Sequence, residues 1–299
     1  MAIPQSYQAF RRSTGNSPTT LESVTEEVPS LKPNDVLICI HAVSLNYRDV
    51  VMMHGKYPTP VIDGGVPASA CAAEVIALGP EVHGFAIGDR VAPIFNLKGL
   101  DGTEEESLLL GGDVDGVLRE YAVFDQNVLF HLPKHLSWEE AACITCAGTT
   151  AWNALGMPQA KRTALLQGER KPTILPLQRF LMLISLSDVV INNVGPTAIA
   201  QSLASLPQRG TVSLVGFLGG YHMGRFPDTV MPVLMKNATI RGILVGTKID
   251  HQNLCGILFE KKVNLKLILY DMVFSFEDSQ AAFDYLYAGK HMGEVVIKL

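Results

Sequence analysis

The sequence has no basic cluster of the kind that binds nucleic acid or an anionic membrane surface. Its 299 residues include 24 Lys and Arg against 29 Asp and Glu, which gives a formal net charge of -5. The basic residues are dispersed along the chain, whereas a polyanion-binding surface requires them to be clustered. We therefore expect neither nucleic acid nor a membrane among the partners of this protein.

Long hydrophobic runs are also lacking. The main apolar stretch, 180–190, falls far short of the roughly 20 residues that a membrane-spanning helix needs, and Asp188 interrupts it. The N-terminal segment MAIPQSYQAF has neither the basic start nor the apolar core of a secretory signal. These absences predict a cytoplasmic protein.

Cysteine is scarce as well. The chain has 5 cysteines, an odd number, and their spacing resembles no disulfide framework of a secreted protein. Cys143 and Cys146 have C-x-x-C spacing, but they fall in a predicted helix without a second pair of metal ligands. Packing in the core is therefore the favoured role for both thiols.

The first 130 residues contain several segments with the pattern of short β-strands. Segments 35–46, 71–79 and 89–95 are rich in β-branched and apolar residues, and glycine-containing turns separate them. The 26 glycines and 17 prolines of the chain fit many such turns and argue against a helical bundle. Residues 1–130 are therefore predicted to be rich in β-structure.

Strands and helices alternate in the remainder of the chain. Ser137 precedes two glutamates, which predicts a helix N-terminus, and apolar periodicity continues this helix to Leu155. Apolar runs at 163–168, 188–195, 211–220 and 238–246 predict strands, and 196–206 predicts an amphipathic helix. Because strand, helix and strand follow one another, we expect parallel βαβ winding and an α/β fold class.

Seven segments match, in order, the landmarks of one enzyme superfamily. They are SLNYRDV, GFAIGDRVAPIF, LLGGDVDGVLREYAVF, LSWEEAACITCAGTTAWNAL, GTVSLVGFLGG, KNATIRGILVG and GKHMGEVVIKL. A single match of this kind could arise by chance, but seven in register are highly specific. The chain therefore resembles the medium-chain dehydrogenase/reductases, in particular the zinc-independent, quinone oxidoreductase-like members and the zinc-type alcohol dehydrogenase-like proteins.

This resemblance implies two domains and a redox reaction. A GroES-like β-barrel catalytic domain would comprise residues 1–136 and 267–299, and a truncated Rossmann-type domain residues 137–266. The family transfers hydride from a nicotinamide cofactor, usually NADPH in this branch, to a small carbonyl or activated alkene such as a quinone, enone or enoyl-type substrate. Relatives commonly form homodimers through the Rossmann sheet, and the strand expected to do so, 238–246, is present.

The resemblance also indicates where a catalytic zinc ion would bind. Alcohol dehydrogenases of the superfamily hold it through a Cys, a His and a further Cys, and the matching positions here are Asn46, Ala73 and Cys146. A catalytic zinc needs three protein ligands. The lobe for structural zinc, expected between Phe95 and Val123, contains no cysteine. We therefore expect no metal ion.

Without zinc, hydrogen bonds must polarise the substrate carbonyl. By resemblance, Asn46 and Tyr47 occupy the substrate-binding position, and both side chains can donate to an oxygen. Tyr47 or solvent could supply the proton, and the alternative is that Tyr47 only packs beside the site. Asp49 is expected to orient its neighbours, and Arg48 is expected to be a surface charge.

Six residues match positions that lie near the cofactor in relatives: Thr149, Thr150, Gly195, Gly216, Phe217 and Lys290. Helix capping would also explain the two threonines, and a solvated lysine is an equal alternative for Lys290. Glycine at a strand end permits close approach of the backbone to a ligand. The resemblance therefore predicts a nicotinamide site, with NADPH as the expected cofactor.

The chain departs from the family after residue 168. A glycine-rich turn that cradles the cofactor pyrophosphate should follow, but the sequence continues with Glu169-Arg170-Lys171-Pro172. The strand that would read the adenosine ribose is missing too. One βαβ unit takes about 30 or more residues, so the roughly 20 residues before Asp188 cannot replace the two such units normally found here. The expected shortfall is of the order of 60 residues or more. We therefore expect cofactor binding to be weakened or lost.

Three explanations of this shortfall stay open. The gene model could contain a skipped exon and a retained intron, or the deletion could be real in a decayed gene. Alternatively, a shortened Rossmann core works through another phosphate contact, such as Arg170 or Lys171. The rival to an active reductase is accordingly a non-catalytic protein in which the barrel domain persists as a binding or structural module.

Overall fold

Two compact units make up the described part of the molecule. The computed structural model describes residues 3–156, 164–167, 188–220, 227–289 and 291–299, except for the side chains of residues 270–272. The first unit comprises Met1–Gly148 and Gly246–Leu299, and the second comprises Thr149–Val245.

Nine described strands, numbered along the chain, belong to the first unit. They are β1 (Ser6–Arg12), β2 (Leu21–Glu27), β3 (Asp35–Leu45), β4 (Ala70–Leu78), β5 (Arg90–Pro93), β6 (Tyr121–Asp125), β7 (Leu129–His131), β12 (Leu269–Ser275) and β13 (Glu294–Lys298). Strands β1 and β2 form an antiparallel pair. The other seven form one sheet in the order β12-β13-β3-β4-β5-β7, in which β6 also pairs with β3. This sheet confirms the β-rich prediction for the first part of the chain.

The long strand β3 lies at the centre of this sheet. It runs antiparallel to β4, to β6 and to the C-terminal strand β13, where Val295 pairs with Leu45. Most of its side chains are buried, because both faces of the strand are covered. The chain end is therefore brought beside the residues that follow β3.

Four described helices pack in the first unit: α1 (Tyr47–Met53), α2 (Trp138–Ala142), α6 (Lys248–Glu260) and α7 (Ser279–Tyr287). The N-terminus of α2 confirms the capping prediction, since Glu140 N donates to Ser137 Oγ at 3.1 Å and Ser137 N donates to Glu140 Oε2 at 2.8 Å. The predicted single helix to Leu155 is broken, however, by a π-helical turn at Ile144–Gly148. In this turn Gly148 N donates to the carbonyl of Cys143, five residues earlier, at 3.0 Å.

The limits of the units differ from the predicted domain boundaries, which fall after residues 136 and 266. Helix α2 packs against β3 and β4, and helix α6 packs against β7. Both helices therefore belong to the first unit, and the chain changes unit after Gly148 and after Val245.

The second unit contains a parallel sheet. Its described strands are β8 (Ala164–Gln167), β9 (Val189–Asn192), β10 (Thr211–Leu214) and β11 (Thr239–Gly242), in the order β11-β10-β9-β8. Helices α3 (Thr149–Ala154), α4 (Ile199–Ala204) and α5 (Val230–Lys236) accompany them. The apolar core on one face of the sheet contains Val190, Leu203, Leu206 and Val212.

These strands confirm the parallel winding and the α/β fold class that the sequence predicts. No described helix is both long enough and apolar enough to cross a membrane.

Candidate functional site

In the first unit, Asn46 and Tyr47 lie where β3 ends and α1 begins. Asn46 has an extended backbone and caps the helix. Its N–H donates to Asp49 Oδ2 at 2.8 Å, and Asp49 N donates back to the Asn46 carbonyl at 2.9 Å. These reciprocal bonds fix the first turn of α1 and therefore the position from which both side chains project.

The side chains of Asn46 and Tyr47 are both partly exposed, so a ligand can reach them. Asn46 Nδ2 donates to the Ser44 carbonyl at 3.3 Å. Because a primary amide carries two N–H donors and one acceptor, Asn46 keeps hydrogen-bonding capacity beyond this contact. Contact of either residue with a substrate stays a prediction.

Asp49 and Arg48 form a buried ion pair beneath this turn. Asp49 is completely buried, and burial raises the pKa of its carboxyl, an effect that the Arg48 charge opposes. Arg48 Nη1 lies 3.6 Å from Asp49 Oδ1 and donates to the Leu110 carbonyl at 2.8 Å. The geometry suits the orienting role expected for Asp49.

The prediction that Arg48 is a surface charge is wrong. Its side chain is only 10% exposed, and its guanidinium lies 4.8 Å from the centre of the Phe95 ring. A planar guanidinium can stack on a ring while it binds a carbonyl and a carboxylate at its edge. Arg48 is therefore part of the support of α1.

Glu294, at the start of β13, is a buried acid that sequence reasoning missed. It is 5% exposed, and Ser44 Oγ donates to its Oε2 at 3.2 Å. Burial raises the pKa of Glu294 to about 8, although the Ser44 hydrogen bond lowers it. A weak signal was available, since an acid opens the otherwise apolar run of the last strand.

In the second unit, Thr149 and Thr150 begin α3 directly after the π-helical turn. Thr149 is completely buried and Thr150 is 7% exposed. Two residues further on, Trp152 is buried, and its indole Nε1 has no hydrogen-bond partner among the described residues. The predicted contact of the two threonines with a nicotinamide ring stays a prediction.

Gly195 forms a tight turn after β9, at the carboxyl end of the parallel strands. Its φ of 100° and ψ of -155° are open to glycine but not to other residues without strain. The Asn192 side chain holds this turn, because Oδ1 accepts from Gly195 N at 2.8 Å and Nδ2 donates to the Gly195 carbonyl at 3.2 Å. Pro196 then begins the helical segment that leads into α4.

The loop after β10 packs directly on the Gly195 turn. A Cβ atom on Gly195 would lie 3.0 Å from Phe217 Cα, and one on Gly216 would lie 3.1 Å from the Asn193 carbonyl oxygen. The glycines therefore permit close approach between two protein loops. Their contact with a cofactor stays a prediction.

Asn193 supplies an unsatisfied acceptor at the same end of the sheet. It is 4% exposed, and its Oδ1 has no hydrogen-bond partner among the described residues. An unpaired buried amide oxygen costs about 1–3 kcal/mol, and a ligand N–H or hydroxyl group would satisfy it. This end of the sheet therefore fits one part of a nucleotide cofactor.

The positions expected near the cofactor phosphates are a separate matter. The stretch 168–187, with Arg170 and Lys171, lies outside the described residues, as does Lys290. The sequence of the stretch 168–187 contains no glycine-rich turn. The described chain thus offers groups for one end of a dinucleotide, and the phosphate cradle of the family has no counterpart in the sequence.

A zinc ion does not fit the residues at the family's zinc position. Asn46 and Ala73 replace two of the three ligands, and Cys146 is buried. Among the described residues, no group of three or more His, Cys, Asp and Glu side chains could hold a metal ion. The described residues therefore offer no ligand set for a zinc ion at this position.

Comparisons with known proteins show the family to which this chain belongs. Residues 32–134 match the model of the alcohol dehydrogenase GroES-like domain. A zinc-type alcohol dehydrogenase-like protein of Schizosaccharomyces pombe is 31% identical over 328 aligned positions, which cover 91% of this chain and 93% of that protein.

Two solved structures share the fold. One, assigned as an alcohol dehydrogenase from Sinorhizobium meliloti 1021, superimposes with a TM-score of 0.84 at 25% identity and covers 100% of both chains. A crotonyl-CoA carboxylase/reductase in complex with NADP superimposes with a TM-score of 0.81 at 16% identity, over 99% of this chain and 95% of the other.

This chain belongs to the medium-chain dehydrogenase/reductase superfamily, a superfamily of oxidoreductases, as the sequence landmarks predict. The alignment with the S. pombe relative also bears on chain length. Since 91% of 299 residues is about 272, about 56 of the 328 aligned positions have no residue in this chain. That number agrees with the expected shortfall of roughly 60 residues, about two βαβ units.

Proposed function

We propose that this protein is a zinc-independent reductase that uses NADPH to reduce a small carbonyl or an activated alkene, such as a quinone, enone or enoyl-type compound. The observation that carries the proposal is the partly exposed Asn46 and Tyr47 pair at the start of α1. By the sequence resemblance, these two residues match the position at which relatives bind zinc or substrate. Family membership and a structural neighbour that is a crotonyl-CoA carboxylase/reductase support the substrate class.

The Asn46 amide would bind the substrate oxygen. Reduction of a carbonyl or conjugated alkene places negative charge on that oxygen, and an N–H donor held in advance stabilises the charge. Asp49 and Arg48 hold the first turn of α1 and so keep the amide in place. Tyr47 is the nearest residue along the chain with an acidic hydroxyl, and it would return a proton to the product.

NADPH, when bound, would supply the hydride. The described residues that would hold it are the turn at Gly195, the loop at Gly216 and Phe217, and the buried threonines of α3. The unpaired Asn193 oxygen would accept from a donor group of the cofactor. The neighbour bound to NADP supports this choice of cofactor.

A titration of the purified protein with NADPH tests this proposal. Trp152 lies in α3 next to the two threonines, so energy transfer from its indole to bound NADPH should be detectable in a Trp138→Phe variant. We expect saturable binding in the micromolar range, with weaker binding of NADH as the control. Absence of binding up to millimolar NADPH in a folded sample would reject the proposal.

The second candidate is a protein whose cofactor site is disabled. It is favoured by one observation, the Glu169-Arg170-Lys171-Pro172 segment in place of the glycine-rich turn. Lost hydrogen bonds to two phosphates would cost several kcal/mol, since charge-assisted bonds contribute about 1.5–3 kcal/mol each. The NADPH titration separates the two candidates, and sequencing of the transcript would show whether the missing segment is encoded.

A homodimer through the second unit is a further part of the proposal. Strand β11 is an edge of the described sheet, and α5 precedes it with a row of exposed apolar side chains. Val230, Leu234 and Met235 are 72%, 68% and 68% exposed. Burial in an interface would remove this apolar surface from water. Sedimentation of the wild type should show a dimer, and the Leu234→Glu variant should be a monomer. A monomeric wild type would contradict the proposed dimer.

A further inference from the structure

Two hydrogen bonds connect Glu294, at the start of β13, through Ser44 to the Asn46 amide. Glu294 accepts from Ser44 Oγ at 3.2 Å, and the Ser44 carbonyl accepts from Asn46 Nδ2 at 3.3 Å. The antiparallel pairing of Val295 with Leu45 places Glu294 opposite Asn46 on the next rung. Ser44 thus contacts the Glu294 carboxyl through its hydroxyl and the Asn46 amide through its carbonyl.

Glu294 and Ser44 are both buried. Glu294 is 5% exposed and Ser44 is 1% exposed. Among the described residues no ion pair involves the Glu294 carboxyl, and burial raises its pKa to about 8. At neutral pH the carboxyl is therefore mostly protonated and uncharged.

The elements that pack against β13 bring other titratable groups to this region. They include Cys143, Glu139 and Glu140 around α2, His41 on β3, and Asp284 and Tyr285 on α7. Cys143 interacts electrostatically with Glu294, and burial keeps the pKa of its thiol well above the ordinary value. The two glutamates have partners of their own: Glu139 pairs with Lys298, and Glu140 accepts from Leu265 N at 2.7 Å.

We propose that Glu294 is a positioning residue that acts through Ser44 on the Asn46 amide and keeps negative charge away from the substrate oxygen. The proposal rests on the proposed function, in which Asn46 binds that oxygen. A neutral Glu294 does not repel the negative charge that develops on the substrate oxygen during reduction. An ionised Glu294 repels this charge and also draws the Ser44 hydroxyl toward itself, so reduction slows.

The titration of the Asn46 side chain tests the coupling without any need for turnover. In protein labelled with ¹⁵N-asparagine, the Asn46 amide signal is the one that disappears in Asn46→Ala. We expect its shift to change with pH with a midpoint near 8 in the wild type. The change should vanish in Glu294→Gln and persist in the exposed control Glu106→Gln. A wild-type signal that does not move, or moves equally in Glu294→Gln, overturns the proposal.

A second variant covers the case in which Glu294→Gln does not fold. Ser44→Ala removes the hydroxyl that donates to Glu294 but retains both the carboxyl and the Ser44 carbonyl that accepts from Asn46. We expect it to reduce the pH-dependent shift of the Asn46 signal to less than half of the wild-type change. A full-sized shift in Ser44→Ala would show that Ser44 is not the link and would overturn the proposed route.

The pH profile of turnover gives the functional result. If NADPH-dependent reduction occurs, kcat should fall about tenfold per pH unit above the Glu294 ionisation in the wild type. It should stay level in Glu294→Gln, while KM for NADPH changes less than twofold. A level wild-type profile overturns the role of Glu294. No turnover at any pH rejects the proposed function alone, because the Asn46 titration still decides whether Glu294 controls the amide.

Discussion

Replacing Glu294 with glutamine is expected to remove a pH-dependent loss of stability from the first unit. The ordinary carboxyl pKa is 4.5, and burial raises it to about 8 in the folded protein. The folded state therefore holds this proton more tightly than the unfolded state does. No penalty exists below pH 4.5, and stability falls as the pH rises from there toward 8.

The size of the loss follows from the same shift. A difference of about 3.5 pKa units at about 1.4 kcal/mol per unit gives a loss of roughly 5 kcal/mol as an upper value. Glutamine carries no charge at any of these pH values, so Glu294→Gln lacks this loss. The variant should be similar to the wild type near pH 5 and more stable by several kcal/mol near pH 8.

Urea unfolding at several pH values measures this difference. Trp138 lies in α2 of the first unit, and the centre of its ring is 3.7 Å from the Arg90 guanidinium carbon and 4.2 Å from the centre of the His41 ring. In a Trp152→Phe background its fluorescence reports the unfolding of that unit. Glu106→Gln, an exposed change of the same charge, is the control. Equal pH dependence in Glu294→Gln and in the wild type would refute the reasoning.

Three further substitutions test the supports of the two sites. Asp49→Asn leaves Arg48 buried without its countercharge and should cost about 3 kcal/mol in urea unfolding; a cost under about 1 kcal/mol would show that the pair is not needed. Gly195→Ala should cost about 2 kcal/mol, because it forces a φ of 100° and places Cβ 3.0 Å from Phe217 Cα. Gly242→Ala, with no atom within 4 Å of its Cβ, is the matched control, and equal effects would contradict the assignment. Ser137→Ala removes the cap of α2 and should lower stability by about 1 kcal/mol in thermal unfolding; no change would show that the cap is redundant.

Much of the fold could be predicted because its signals are local. The S-x-x-E pattern at Ser137 predicts a capped helix, and the capping bonds are present. Short apolar runs followed by glycine predict β9, β10 and β11, and these strands form the parallel sheet. Each of these signals lies within a few residues of the feature that it predicts, so no tertiary contact is needed to read it.

Two of the errors concern features that depend on distant contacts. Arg48 is buried because the Leu110 carbonyl, Asp49 and the Phe95 ring meet its guanidinium, and only the fold brings Leu110 and Phe95 near. Glu294 was missed because β13 is buried on both faces, so the strand shows no polar and apolar alternation. The π-helical turn at Ile144–Gly148 is a local feature, but apolar periodicity predicts a continuous helix after Ser137 and does not reveal a single turn of this kind.

Consumption of NADPH in the presence of a simple quinone or enone, after exhaustive removal of metal ions, tests the central claim most directly. The proposed function predicts that the wild type retains its activity without metal and that Asn46→Ala loses it by about a hundredfold, as expected for a donor to a developing oxyanion. No NADPH consumption by the folded wild type, at any cofactor concentration up to the millimolar range, would contradict the claim.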